Sequence, residues 1–227
     1  MVEGERESVP PMDSMEEFAP YAVGDVASPA IFSCSPRSGG NSDNAAEFFR
    51  EGLHQAGGRG QLFYLRDYAV HPCLGCMRCE QDARGECFLA PRDQSSPLFQ
   101  ALLAAPMLFI AAPIYFYHLP SQFKAWIDRS QSYYLRWEQG DPLLRSLPPR
   151  PAVINLVAGR RRGEQLFEGA LLTLKYFLTT FNFTIQEHHA YRGIDASEDL
   201  RMHSQAKEEL IAAGREAWAN LVMQHPG

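Results

Sequence analysis

Ala30-Ile-Phe-Ser-Cys34 runs straight into Ser35-Pro-Arg-Ser-Gly-Gly-Asn-Ser42. The first five residues are a short apolar run of the kind that forms a fully buried strand. The next eight are turn formers. Beyond them Ala45, Phe48, Phe49 and Leu53 recur at helical spacing until Gly57-Gly58 ends the pattern. A strand, a glycine-containing turn and a helix therefore open the folded part of the chain.

The same alternation continues outward. Gln61 to Leu65 reads as a second strand, and Leu98, Leu102 and Ala105 mark a helix. Met107 to Ala112 is a continuous apolar run, as expected of a strand covered on both faces. Phe123, Trp126, Ile127 and Tyr134 predict one further helix, and a Pro-rich connection from Pro142 to Pro151 leads to a strand over Ala152–Ala158. Leu166, Phe167, Ala170, Leu171, Leu174, Phe177, Leu178 and Phe181 form a long helical stripe. Phe183 to Glu187 reads as a fifth strand, and Leu210, Ile211, Gly214, Ala217, Trp218 and Leu221 mark the last helix. Five strands alternating with helices predict an α/β fold with a doubly wound parallel sheet and right-handed crossovers. Ligands of such sheets sit beyond the carboxyl ends of the strands, so the loops after strands one, three and four are the candidate site.

Charge bounds the partners. The net charge is −6, but residues 1–28 hold seven acids and the single base Arg6, which leaves twenty of each sign in the rest. A body without a basic excess argues against nucleic acid as a partner. Residues 1–28 are rich in Pro and acids and read as a disordered acidic tail, with residues 29–227 as the folded domain. No Asp, Glu, Lys or Arg lies between Asp93 and Lys124, yet Pro97, Pro106, Pro113 and Pro120 cut that stretch into pieces shorter than the roughly 20 residues a span needs. The expectation is no membrane and, with no basic start followed by an apolar run, a cytoplasmic protein.

An anion placed between the first strand and its helix meets free backbone N–H groups and the positive helix end. Ser35, Arg37, Asn41 and Ser42 add hydroxyls, an amide and a guanidinium, while Gly39-Gly40 lets backbone come close. Neither Gly-Lys-Ser/Thr nor G-x-G-x-x-G is present. The competing reading is a plain capped turn with Ser42 as N-cap.

Four of the five cysteines, Cys73, Cys76, Cys79 and Cys87, fall in an insert over residues 71–92. In a reducing compartment such crowding points to metal or redox work. Zinc sites usually draw on two separated pairs, whereas three closely spaced cysteines with a fourth downstream are the habit of cubane iron–sulfur clusters. Gly75 and Gly85 are expected at the turns, and Arg78 and Arg84 are placed to offset thiolate charge. Cluster, free or redox-active thiols, and zinc all remain open from the residues.

Ser35 to Ser42 resembles the FMN-phosphate loop of the NAD(P)H-dependent FMN reductases, a branch of the flavodoxin-like fold. Ala112-Pro-Ile-Tyr115 resembles that group's flavin-ring segment, and Pro120 through Lys124 to Asp128-Arg129 its continuation, so the likeness covers roughly residues 30–135. The resemblance implies strand order 2-1-3-4-5 and FMN on Ser35, Arg37, Gly39, Asn41 and Ser42. It implies ring contacts from Pro113, Ile114, Tyr115 and Phe116, with Ala158 and Gly159 on the rim. Cys34 stands where the group usually has Gly. His118 is placed near the ring but reads more simply as a satisfied surface histidine. Arg160-Arg161-Arg162 fits the phosphates of a nicotinamide cofactor, an acidic partner, or a plain solvated loop. The cysteine spacing resembles the compact motif of the iron–sulfur flavoproteins, which implies a [4Fe-4S] cluster on Cys73, Cys76, Cys79 and Cys87. The expected function is an FMN-dependent oxidoreductase passing single electrons between FMN and that cluster. No side chain is nominated as catalytic. NAD(P)H, ferredoxin and quinones are the candidate donors and acceptors, and a homodimer or homotetramer is implied. The alternatives are an FMN or quinone reductase without a cluster, a non-enzymatic redox carrier or sensor, and a zinc-stabilised interaction domain.

Overall fold

A computed structural model describes residues 28–224. The expected acidic tail lies outside the described residues, apart from its last position. Strands β1 (Ala30–Ser33), β2 (Gln61–Tyr64), β3 (Leu108–Pro113), β4 (Arg150–Ala158) and β5 (Phe183–Arg192) form one sheet in the order β2-β1-β3-β4-β5. Every pairing is parallel. The flavodoxin-like order implied by the sequence is the order observed.

Period-two alternation sends neighbouring strand residues into different layers. Ile31, Phe109 and Val153 point to one side, where α1 (Asn41–Gln55) and α9 (Ser204–Gln224) cover them. Phe32, Ile110 and Ile154 point to the other. There they meet α3 (Ser95–Ala104), α4 (Ser121–Arg129) and α7 (Glu168–Thr179) around the fully buried Trp126. Helices α1 and α9 approach so closely that only glycine fits at the crossing. A Cβ on Gly52 would lie 2.1 Å from the Ile211 carbonyl oxygen, and one on Gly214 would lie 2.2 Å from that of Phe49.

Three expectations needed correction. The helix predicted through Tyr134 is two, α4 and α5 (Gln131–Glu138), because Ser130 bonds the Ile127 carbonyl through both its N–H (2.9 Å) and its hydroxyl (2.6 Å). The Pro-rich connection contains a short helix, α6 (Pro142–Ser146), capped by the Asp141 side chain on the Leu144 N–H. Strand β5 runs to Arg192, five residues past Glu187, along an edge whose largely exposed side chains give no apolar signature.

Arg150, buried at the start of β4, donates to the carbonyls of Leu102, Leu103, Ala105 and Phe181 and so satisfies the carboxyl ends of two connections at once. Burial lowers its pKa to about 10, which leaves it cationic at neutral pH. Among the described residues no helix is long and apolar enough to cross a membrane.

Candidate functional site

Helix α1 begins at Asn41 with Gly40 as an extended N-cap and no side-chain cap. Ser42 is not the N-cap. It lies inside the first turn, 1% exposed, and its Oγ has no partner. A buried hydroxyl without a hydrogen bond is costly, and here it sits beside uncapped N–H groups at a helix start. The loop before it turns at Gly39, whose φ of 65° is in the left-handed region. Asp43 fixes that turn: one carboxylate oxygen accepts from the Gly39 N–H (2.7 Å), the other from the Ser33 hydroxyl and from Arg66 Nη1 (2.9 Å). Ser35 Oγ accepts from the Arg37 N–H at 3.1 Å.

Asn41 is engaged elsewhere. Its amide donates to the Ala196 carbonyl (2.8 Å), and its oxygen accepts from the Leu200 N–H (3.0 Å) at α8 (Asp199–Met202). Arg37 Nη1 reaches the Asp195 carbonyl at 3.3 Å. Both tie the first loop to the segment after β5.

The loops after β1, β3, β4 and β5 enclose a cleft of about 180 Å³ at the carboxyl edge of the sheet. Ser35, Arg37, Asn41, Ser42, Pro113, Ile114, Tyr115 and Gly159 line it, together with Gly40, Val157, Ile194 and Asp195. Of the residues expected there, Gly39 shapes the turn without lining the cleft, Ala158 is buried in β4, and Phe116 points wholly into solvent. Ile194 and Asp195 were missed because β5 was ended too early. Asp43 was missed although an acid in the first turn after Gly-Gly is a legible signal. A Cβ on Gly159 would lie 2.8 Å from Asp195 Oδ1, so the last two loops touch. His118 is held by Thr173, with Nε2 3.1 Å from its Oγ1.

The fifth cysteine, Cys34, is buried, and burial pushes its thiol pKa well up. The cysteine insert is stapled at its root. Ala69 and Gln94 exchange bonds, the Asp93 carboxylate accepts from the His71 N–H (2.9 Å), and buried Arg129 on α4 pairs with Asp93 while donating to the His71 carbonyl (3.2 Å). Inside the insert the chain turns at Gly75, Met77 and Gly85, with φ of 61°, 54° and 68°. Cys76 is exposed and the other three thiols are half-buried. Burial raises the Cys79 thiol, and the charges of Cys87, Cys73 and Cys76 raise it further. Among the described residues, no three metal-binding side chains are arranged to hold a single ion. Arg78 stacks on Phe88 at 4.5 Å and Arg84 pairs with Glu86 at 3.2 Å, so neither is turned to the thiols as expected. Cys87 lines a separate cavity of about 240 Å³ with Arg129, Tyr133 and Arg136.

A family model described as NADPH-dependent FMN reductase matches residues 29–180. An "Iron-sulfur flavoprotein" of Methanosarcina thermophila is 30% identical over 96 residues, which is 42% of this chain and 48% of the relative. An "FMN-dependent NADH:quinone oxidoreductase 2" of Pseudomonas fluorescens is 38% identical over 71 residues, 28% of this chain and 36% of the relative. The chain spans about half the length, or less, of the curated relatives it matches. Among solved structures, a "flavone reductase" superposes with a TM-score of 0.64 at 12% identity, covering 88% of this chain and 65% of that one. An FMN-dependent NADH-azoreductase of Bacillus anthracis gives 0.61 at 16% identity, covering 84% and 99%. At such identities these structures speak for the fold alone. The family match takes in the sheet from β1 through β4 and three of the four loops that shape the cleft, and on that ground this chain belongs to the NADPH-dependent FMN reductase family.

Proposed function

We propose that the protein is an FMN-dependent oxidoreductase that draws electrons from NAD(P)H and hands them to a small acceptor such as a quinone or to a protein such as ferredoxin. The observation that carries this is the buried, partnerless Ser42 hydroxyl at an uncapped helix start, facing a cleft built by the loops at the sheet's carboxyl edge. A phosphate ester supplies what that hydroxyl and the first-turn N–H groups lack. Ser35 and Arg37 complete the phosphate seat, and Pro113, Ile114, Tyr115 and Gly159 border the ring. When bound, FMN supplies acceptance of a hydride and its release as single electrons. The chain's own task is to hold, orient and shield. Asn41 acts through position: it ties α1 to the β5–α8 loop and so holds two walls of the cleft together.

A [4Fe-4S] cluster on Cys73, Cys76, Cys79 and Cys87 is the finer part of the proposal. Its support is the cysteine spacing, the reach of three thiolate charges to Cys79, and the printed names of three relatives. The reductase without a cluster is the second reading, favoured by the lack of any three side chains around one ion among the described residues. Anaerobic purification with the visible spectrum, iron and acid-labile sulfide per FMN decides between them. Four irons per FMN, lost in Cys76→Ala with the flavin retained, are expected; iron near zero leaves the plain reductase. A colourless protein that takes up no added FMN would overturn the flavin reading itself.

A further inference from the structure

The open side of the cleft carries two features the flavin does not use. Tyr115 and His118 close a two-residue hairpin, with Tyr115 N–H donating to His118 O at 2.8 Å and His118 N–H to Tyr115 O at 3.0 Å. Both tip residues lie in the left-handed region, Phe116 at φ 49° and Tyr117 at 65°. That is the signature of a type I′ turn, where Asn-Gly is the usual occupant. Two aromatic residues there are strained, and strain of this kind collects at ligand clamps. Its product is a Phe116 ring wholly in water, 102% exposed.

Beside the hairpin, Arg160, Arg161 and Arg162 follow one another on the exposed loop after β4. Arg192, at the end of β5, joins that loop by donating to the Gly163 carbonyl at 3.0 Å. The Arg160 guanidinium lies 5.5 Å from the Tyr117 ring centroid, so arginines and hairpin form one surface. The Arg161 stem lies across Gly193, where a Cβ would stand 3.2 Å from its Cγ. Among the described residues no ion pair engages any of these four arginines.

We infer that the hairpin and the arginine loop together seat the adenosine 2′-phosphate end of the donor dinucleotide, so that Arg160, Arg161 and Arg162 select NADPH over NADH while Phe116 stacks the purine. This deepens the reductase reading and rests on it. A phosphomonoester offers nearly two charges and three acceptor oxygens, which guanidinium forks match with paired hydrogen bonds. The purine needs a ring face that is already in solvent, and the strained tip provides one. An acidic protein surface would use the arginines but leave the aromatic tip without a role.

The test is calorimetric titration of the full chain, FMN added, with adenosine 2′,5′-bisphosphate and with 5′-AMP, beside kcat/KM for NADPH and NADH. The wild type is expected to prefer the 2′-phosphorylated member of each pair by about tenfold or more. Arg161→Ser with Arg162→Ser should bring both preferences close to unity with the flavin spectrum unchanged. Phe116→Ser should weaken both nucleotides by roughly tenfold and leave their ratio intact. Equal binding of the two nucleotides by the wild type overturns the inference, as does a preference that survives the double arginine change. Binding of poly-glutamate that the double variant loses while both nucleotides bind unchanged overturns it too, in favour of an acidic protein partner. Nucleotide discrimination by a protein that takes up no FMN would sink the flavin reading and leave this one standing.

Discussion

Ser42 Oγ is one of the few buried side-chain atoms left without a hydrogen bond. Its removal therefore costs the empty protein nothing in bonding and costs the bound state one charge-assisted contact. Ser42→Ala should leave Tm unchanged or slightly raised while the FMN dissociation constant rises about tenfold, read by flavin fluorescence titration. The hairpin tip sets the opposite balance. Phe116 and Tyr117 each hold a conformation that costs a non-glycine residue about 1–2 kcal/mol. Replacing them by Asn and Gly should raise Tm by roughly 2–4 °C while donor turnover falls, because the ring that occupies solvent is lost. The phosphate loop was legible at this scale because its hydroxyls, glycines and arginine are local in the sequence. What Asn41 does was not, since its partners Ala196 and Leu200 lie at the far end of the chain and no spacing rule joins them.

Among the elements, the crossing of α1 on α9 is the tightest. Gly52→Ala forces a Cβ onto the Ile211 carbonyl at 2.1 Å, backbone against backbone, and should destabilise by about 2–3 kcal/mol, or roughly 5–10 °C in Tm. Scanning calorimetry checks it. The cysteine insert depends on Asp93 and Arg129. Burial pushes the Asp93 carboxyl up, but hydrogen bonds from Ser95, His71 and Arg129 outweigh that and hold its pKa below the usual carboxylate range. A depressed folded value means stabilisation that is full above the unfolded pKa of about 3.9 and lost as pH falls through the folded one. Asp93→Asn leaves Arg129 buried without its partner and should cost about 3–5 kcal/mol at pH 7. Urea melts of both proteins from pH 7 to pH 3 should show that gap constant down to about pH 4 and then closing. A gap that does not change over the range would remove Asp93 as the acid-sensitive group. Period and punctuation placed these elements well, except where tertiary bonds decided: Ser130 split a helix that its apolar spacing would continue, and edge strand β5 outran its apolar pattern.

The whole molecule was readable in outline because five strand–helix alternations admit few topologies, and the order 2-1-3-4-5 then followed from a short likeness in two loops. The closeness of the fourth loop was not readable, because Asp195 meets Gly159 only once β4 and β5 are paired side by side. Nor was the separation of the thiols from the cleft: Cys87 opens onto a cavity against α5, while none of the residues around the phosphate seat comes from the insert. The root of that insert has a wider meaning. Ala69, His71, Asp93 and Gln94 meet at one point, so the chain leaves the sheet's surface and returns to it through a single gate. Whatever the thiols carry can be filled, damaged by oxygen or stripped out as a unit, and the loss subtracts an electron port without unlatching the body that holds the flavin.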